Sequence, residues 1–209
     1  MMAQRQQQTT GSRLEFWFDL ASNYSYLSAM RIDREAALRG VEVTWKPFLL
    51  GPIFRELGWT GPVFVVQEEK GRYVWKDMQR QCRKYGLPWR RPSEFPRDSL
   101  LATRVALAGG DSSWVRDFCR EIMLLNFGYD REVGSDEAVS GALGRLGLKA
   151  GSLIRRAREE DNKQRLRSQT REARARGVFG APTFFVGEEM FWGNDRLDDA
   201  LDMAAALGE

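Results

Sequence analysis

Leu14-Glu15-Phe16-Trp17-Phe18-Asp19-Leu20-Ala21-Ser22-Asn23-Tyr24-Ser25-Tyr26-Leu27-Ser28 is the stretch that decides the fold. Its aromatic and aliphatic first half predicts a strand over 14–20, buried on both faces in the middle of a sheet. Ser22 and Ser25 then mark a turn into a helix over 25–38. Tyr26, Leu27, Met30, Ala36, Ala37 and Leu38 supply its apolar positions, and Gly40 follows as a C-cap. Val41-Glu42-Val43-Thr44-Trp45 alternates as a second strand, closing a β-α-β unit whose crossover is expected to be right-handed.

Far along the chain, Gly180-Ala181-Pro182-Thr183-Phe184-Phe185-Val186 runs a proline straight into another apolar strand. A strand-to-helix turn faced by a proline-bearing loop resembles a thioredoxin-type site. Redox proteins of that class carry Cys-x-x-Cys at the turn, tuned by the helix N-terminus. Here the spacing is Ser22-x-x-Ser25. Dithiol chemistry is therefore excluded at this turn, and a thiol there has to come from a bound ligand.

Composition narrows the function further. The chain has no histidine, which removes Ser-His and Cys-His nucleophile pairs and histidine metal sites. Its two cysteines, Cys82 and Cys119, are far apart, which argues against a disulfide framework or a thiolate metal site. A net charge of +3 is too small to imply nucleic acid, since anionic small molecules account for it equally well. The arginines of 155–176 alternate with acids in helical i,i+4 pairs such as Arg155 with Glu159, and no stacking aromatics interleave them. They read as a solvated helix face. Residues 1–13 are polar, rich in Gln and Thr, and lack the apolar core of a signal peptide. No segment approaches the ~20 apolar residues of a membrane span. The expectation is a cytoplasmic protein with a disordered N-terminal tail over 1–13.

At 209 residues, against about 150 per domain, the chain suits a core domain carrying an insertion. Helical spacing is predicted over 70–85, 99–108, 114–127, 135–146 and 152–176. A hairpin follows, with strands 184–186 and 190–192 joined across 187–189, and then a terminal helix over 195–207. The expected organisation is an α/β fold with its sheet domain at 14–48 and 177–209 and a helical insertion at 49–176.

Taken singly, the chemistry-bearing residues are ambiguous. Ser22 is a good helix cap, Pro182 opens a strand, and Asn194 or Asp195 in Phe191-Trp192-Gly193-Asn194-Asp195-Arg196-Leu197 is a good cap in its turn. The combination is more specific. Phe18-Asp19-x-x-Ser22-x-Tyr24-Ser25-Tyr26-Leu27, Pro47-Phe48-Leu49-Leu50-Gly51-x-Ile53-Phe54, Lys70-Gly71-Arg72-Tyr73, Val178-Phe179-Gly180-Ala181-Pro182-Thr183 and Phe191-Trp192-Gly193-Asn194-Asp195-Arg196 occur in this order. Together they resemble the glutathione-dependent 2-hydroxychromene-2-carboxylate isomerases and the related kappa-class glutathione transferases, in the DsbA-like branch of the thioredoxin superfamily.

The resemblance implies a thioredoxin-like fold with a large helical insertion, glutathione as cofactor, and a homodimer. It implies Ser22 as the catalytic serine, donating to the glutathione sulfur. Ala181, before a cis-Pro182, would pair its backbone with the cysteinyl unit. Trp192, Gly193, Asn194 and Asp195 would hold the γ-glutamyl end, and Lys70 the glycyl carboxylate. Arg55, Arg72 and Phe95 are the corresponding substrate-binding candidates, and no metal is expected. The implied reaction is the cis-trans isomerisation of 2-hydroxychromene-2-carboxylate to trans-o-hydroxybenzylidenepyruvate through a thiolate adduct. The alternatives are a kappa-class-like transferase or peroxidase, and a DsbA-like binding protein without redox activity. Three positions depart from the family pattern. Asn23 replaces the usual proline, Trp59-Thr60 stand where the transferases have asparagine, and Phe54 aligns with the isomerases' substrate lysine, leaving Arg55 as the nearest cation.

Overall fold

Strand β1 (Arg13–Phe18) is the axis of the molecule because its side chains are apolar on both faces. Leu14, Phe16 and Phe18 enter one core with Tyr26, Leu27, Phe118, Phe127 and Phe184, whereas Trp17 enters a second with Phe48, Ile53, Ala173, Val178 and Phe185. The structure, a computed structural model, describes residues 12–59 and 67–208. Within them β1 lies parallel to β2 (Glu42–Pro47) and antiparallel to β3 (Thr183–Val186), which pairs with β4 (Glu189–Trp192). The strand order β2-β1-β3-β4 puts β1 in the interior, as its composition requires. Gly187, at φ 60°, opens the two-residue turn of the β3-β4 hairpin, in the position such turns reserve for glycine.

Helices α1 (Asn23–Ala29) and α2 (Ile32–Ala37) follow β1, and α3 (Leu50–Glu56) follows β2. Then come α4 (Glu68–Tyr85), α5 (Leu100–Gly109), α6 (Trp114–Met123), α7 (Asp136–Arg145), α8 (Ala150–Arg158) and α9 (Glu160–Ala175). After the sheet is completed, α10 (Leu197–Ala206) packs back on β1 and β3. The larger core lies between the sheet and α1, α2, α4–α8 and α10. The smaller lies under α3 and the end of α9. The result is a thioredoxin-like fold with a large helical insertion.

Several expectations are corrected. β1 opens at Arg13, inside the segment read as tail, because Ser12 O already accepts the Glu42 N–H at 2.8 Å. The helix expected over 25–38 is two helices. The bend at Met30-Arg31 leaves the buried Arg31 guanidinium 4.3 Å over the Tyr85 ring and 3.2 Å from Asp198. Neither residue is a helix breaker, so the sequence carried no signal of it. Likewise 152–176 is divided at Glu159, whose backbone is extended (ψ 146°). The i,i+4 geometry expected for Arg155 and Glu159 is therefore absent. Helix 114–127 changes at Met123 into a π-helical turn over Leu124–Gly128. The sequence reading missed α3 altogether, and the expected helix over 195–207 begins as a 3₁₀ turn at Asn194–Arg196. Most of the N-terminal tail, and Thr60 of the Trp59-Thr60 departure, lie outside the described residues.

Candidate active site

The turn after β1 is held from beneath by Asp19. Its carboxylate accepts the Ala21 N–H at 2.8 Å and the Leu50 N–H at 2.7 Å, and its carbonyl accepts the Ser22 N–H at 3.0 Å. One buried side chain thus ties the serine turn to the start of α3. Burial raises the Asp19 pKa, against the opposing pull of the two N–H donors, Leu50 first.

Ser22 caps α1 with extended backbone (φ −87°, ψ 121°), its Oγ accepting the Ser25 N–H at 3.2 Å. The same hydroxyl donates to Ala181 O at 3.0 Å, across 159 residues of sequence. The Ala181–Pro182 peptide is cis. Pro182 O in turn accepts the Gly193 N–H at 3.0 Å, and the Ser28 hydroxyl donates to Asn194 Oδ1 at 3.1 Å. The serine turn, the proline loop and the 193–196 turn are therefore one hydrogen-bonded assembly. Within it, Ser25 Oγ and Asn23 Nδ2 are buried without a partner among the described residues. Such groups cost about 1–3 kcal/mol each and concentrate at sites kept for other reasons than stability.

Trp192 is half exposed (52%), and its ring meets Phe179 at 4.8 Å between centroids. Its indole lies so close over Gly180 that a Cβ there would collide with Nε1. Beside the assembly is a cavity of about 400 Å³, reached by Tyr24 from α1, Asp77 and Lys84 from α4, and Asn194 and Asp195 from the 3₁₀ turn. The Tyr24 hydroxyl donates to Asp77 Oδ2 at 2.8 Å. Burial, and next the Asp77 bond, hold its pKa well above the usual phenol range.

The other candidates are placed differently. Lys70 is exposed in the first turn of α4, and Arg55 is exposed in the last turn of α3. Arg72 is exposed and engaged by Glu68 at 2.5 Å and Glu69 at 3.4 Å. Phe95 stands edge-on to Trp75 at 5.0 Å and 6.5 Å from Phe127, which lies 5.7 Å from Tyr26 behind α1. The Phe95–Pro96 peptide is a second cis proline bond. The loop carrying Phe95 is locked to the π-helical turn by Arg97, which is 9% exposed and donates to Asn126 Oδ1 at 2.9 Å, Ser93 Oγ at 3.0 Å and Asp130. Sequence reasoning missed this lock, the Tyr24–Asp77 bond and the aromatic wall. Each joins residues remote in sequence, and although Tyr24 and Tyr26 stand in a quoted motif, their partners Asp77 and Phe127 do not.

No thiol of the chain competes for the site. Cys82 and Cys119 are both buried, and burial pushes the Cys82 pKa up to about 12 and that of Cys119 higher. Both are held as neutral thiols, the unreactive form. Among the described residues, no cluster of potential ligands could hold a metal ion, and no helix is long and apolar enough to cross a membrane.

Comparison with known proteins agrees with this fold. The family model of the DSBA-like thioredoxin domain matches residues 13–204. A 2-hydroxychromene-2-carboxylate isomerase of Sphingobium xenophagum is 27% identical over 185 residues, covering 88% of this chain and 94% of that protein. Glutathione s-transferase kappa 2 of Caenorhabditis elegans is 26% identical over 207 residues, covering 92% of this chain and 91% of that protein. The solved structure of a 2-hydroxychromene-2-carboxylate isomerase superposes with a TM-score of 0.83 at 26% identity, covering 93% of this chain and 94% of that one. The resemblance drawn from the sequence motifs is therefore borne out.

Proposed function

The chain belongs to the DSBA-like thioredoxin family, and we propose that within it the protein is a glutathione-dependent isomerase of 2-hydroxychromene-2-carboxylate-type aromatic degradation intermediates. The observation that carries this reading is the Ser22 hydroxyl, held between Ser25 N–H and Ala181 O beside a cis proline. A serine-only turn supports a ligand-borne thiol, and the relatives named as isomerases and kappa-class transferases support glutathione.

The residues present fit a tripeptide thiol. Ala181 offers its carbonyl from the bend just before β3, where a peptide could pair with it as an added strand. Asp195, with its side chain 74% exposed, suits the γ-glutamyl ammonium. Lys70 suits the glycyl carboxylate, and the backbone at Trp192, Gly193 and Asn194 suits the γ-glutamyl unit. When bound, glutathione would supply a thiolate able to add reversibly to the conjugated substrate, freeing rotation about its former double bond. Ser22 has one hydroxyl proton. A cysteinyl N–H taking Ala181 O would release that proton to point at the sulfur, while Ser25 N–H keeps Oγ in place. The α1 N-terminus adds its partial positive charge to the same spot. Phe95 and its aromatic neighbours would flank the ring system, and Arg55 and Arg72 are the cations that the resemblance offers for an aromatic carboxylate, although Arg72 would first have to leave Glu68 and Glu69. A cytoplasmic homodimer with a sheet domain at 14–48 and 177–209 and an insertion at 49–176 completes the reading, on family resemblance.

The test is to follow 2-hydroxychromene-2-carboxylate by absorbance with purified protein, with and without reduced glutathione. Turnover that requires glutathione and returns it unconsumed is expected. Glutathione-independent turnover, or none, overturns the reading. Stoichiometric transfer of glutathione favours the kappa-class alternative, to which Lys70 also points.

A further inference from the structure

The loop 86–99, between α4 and α5, carries Arg90, Arg91 and Arg97, and internal ion pairs engage only two of them. Arg97 is buried on Asn126, Ser93 and Asp130, and Arg90 Nε lies 4.0 Å from the other carboxylate oxygen of Asp130. Arg91 is exposed, and no described carboxylate pairs with it. Its guanidinium stands 5.4 Å over the ring of Trp75. Attraction to a ring face holds a guanidinium in place without using up its N–H donors. Trp75 in turn stacks on Trp89 at 6.1 Å and meets Phe95 edge-on at 5.0 Å, so Arg91 lies against the aromatic wall. The loop is firmly fixed. The Tyr26 hydroxyl donates to Pro88 O at 2.8 Å, the Arg90 N–H donates to Phe127 O at 2.8 Å, and Arg97 locks the far end. Tyr26 is one helical turn from Ser22, the cap of α1. The wall and its cation are thus tied to the helix that carries the serine.

We propose that Arg91 is the specificity-determining residue for the carboxylate of the aromatic substrate, replacing the lysine that the family pattern puts at Phe54. The ring system lies against Trp75, Trp89 and Phe95. The carboxylate takes the Arg91 guanidinium in a forked, two-bond contact that an ammonium cannot reproduce. Phe54 offers no charge, and Arg72 is already engaged by Glu68 and Glu69. Of Arg55, Arg72 and Arg91, only Arg91 stands over a ring of the wall. This rests on the isomerase reading and deepens it: the acid is selected by the loop after α4 instead of by α3, and the same ring system without its acid is held weakly.

Isothermal titration calorimetry of the full chain, with reduced glutathione present, compares two ligands. One is chromene-2-carboxylate, which lacks the hydroxyl that ring opening needs, and the other is its carboxamide. The wild type is expected to bind the carboxylate ~10-fold more tightly, the scale of one charge-assisted contact. Arg91→Gln is expected to weaken the carboxylate ~10-fold and leave the carboxamide within about twofold, erasing the preference. Arg91→Lys keeps the charge without the fork, and its preference should lie between those of the wild type and Arg91→Gln. Equal wild-type affinity for the two ligands, or unchanged preference in Arg91→Gln, overturns the proposal. Equal weakening of both ligands in Arg91→Gln overturns it as well, because it marks a packing role. Each of these leaves the isomerase reading standing. Binding of neither ligand to the wild type overturns this proposal and the aromatic-carboxylate reading together.

Discussion

At Ser22 a single hydroxyl has two bonds of different meaning. Accepting the Ser25 N–H is ordinary helix capping, worth about 1 kcal/mol. Donating to Ala181 O serves no helix, and it spans 159 residues to reach the loop before Pro182. The two roles separate experimentally. Ser22→Ala is expected to lower the free energy of unfolding in urea by only about 1–2 kcal/mol. Glutathione-dependent turnover should fall ~10²-fold, as for loss of one preorganised donor. Full activity in that variant would reduce Ser22 to a cap. Ser25 Oγ and Asn23 Nδ2, buried nearby without partners, underline that the turn is not built for stability alone.

At the scale of elements, the proline loop and the β4 strand depend on each other. The Trp192 indole occupies the space a side chain on Gly180 would need, and Phe179 meets the same ring. Gly180→Ala forces one of them to move and is expected to cost about 1–3 kcal/mol, the range for overpacking. In a Trp192→Ala background the added methyl has room, so the same change should cost little. A double-mutant cycle in urea measures this coupling, and strict additivity would disprove the contact. The elements the sequence misjudged share one cause. The bends at Met30-Arg31 and Glu159 involve residues with no breaker character and were invisible to local propensity. In the first, a buried Arg31 is fixed by Tyr85 and Asp198 from two remote helices.

For the whole molecule, several carboxylates favour the folded state when ionised. The Ser93 backbone N–H and then Arg97 lower the Asp130 pKa to about 2, and Glu35, Glu132 and Glu160 are lowered as well. A folded-state pKa below the unfolded value, about 3.9 for Asp, gives stability that is complete above the unfolded pKa and lost as pH falls through the folded one. Asp19 opposes this, since its raised pKa makes protonation favour the fold. Asp130→Asn is expected to be less stable than wild type at neutral pH. Its urea midpoint should also fall less between about pH 4.5 and 2 than that of the wild type. Parallel midpoint curves for the two proteins would show that Asp130 is not part of the acid response.

Periodicity and turn chemistry by themselves determined the sheet and the site's ingredients. An apolar run from Leu14, capping serines, and a proline ahead of Thr183 are local signals, and each maps to the element it implies because backbone preference and burial agree there. The serine-for-cysteine pattern likewise excluded dithiol chemistry at the turn without any structure. Only tertiary structure decided which residues meet. It brought Ser22 to Ala181, Ser28 to Asn194, and Tyr24 to Asp77, and it left Arg72 engaged by Glu68 and Glu69 on an exposed face. It also set the charge balance of the cavity, because the pairing of Asp198 depends on Arg31 and Arg39 from other elements. Local sequence carries no term for such pairings, whose energy exists only once the chain has closed on itself.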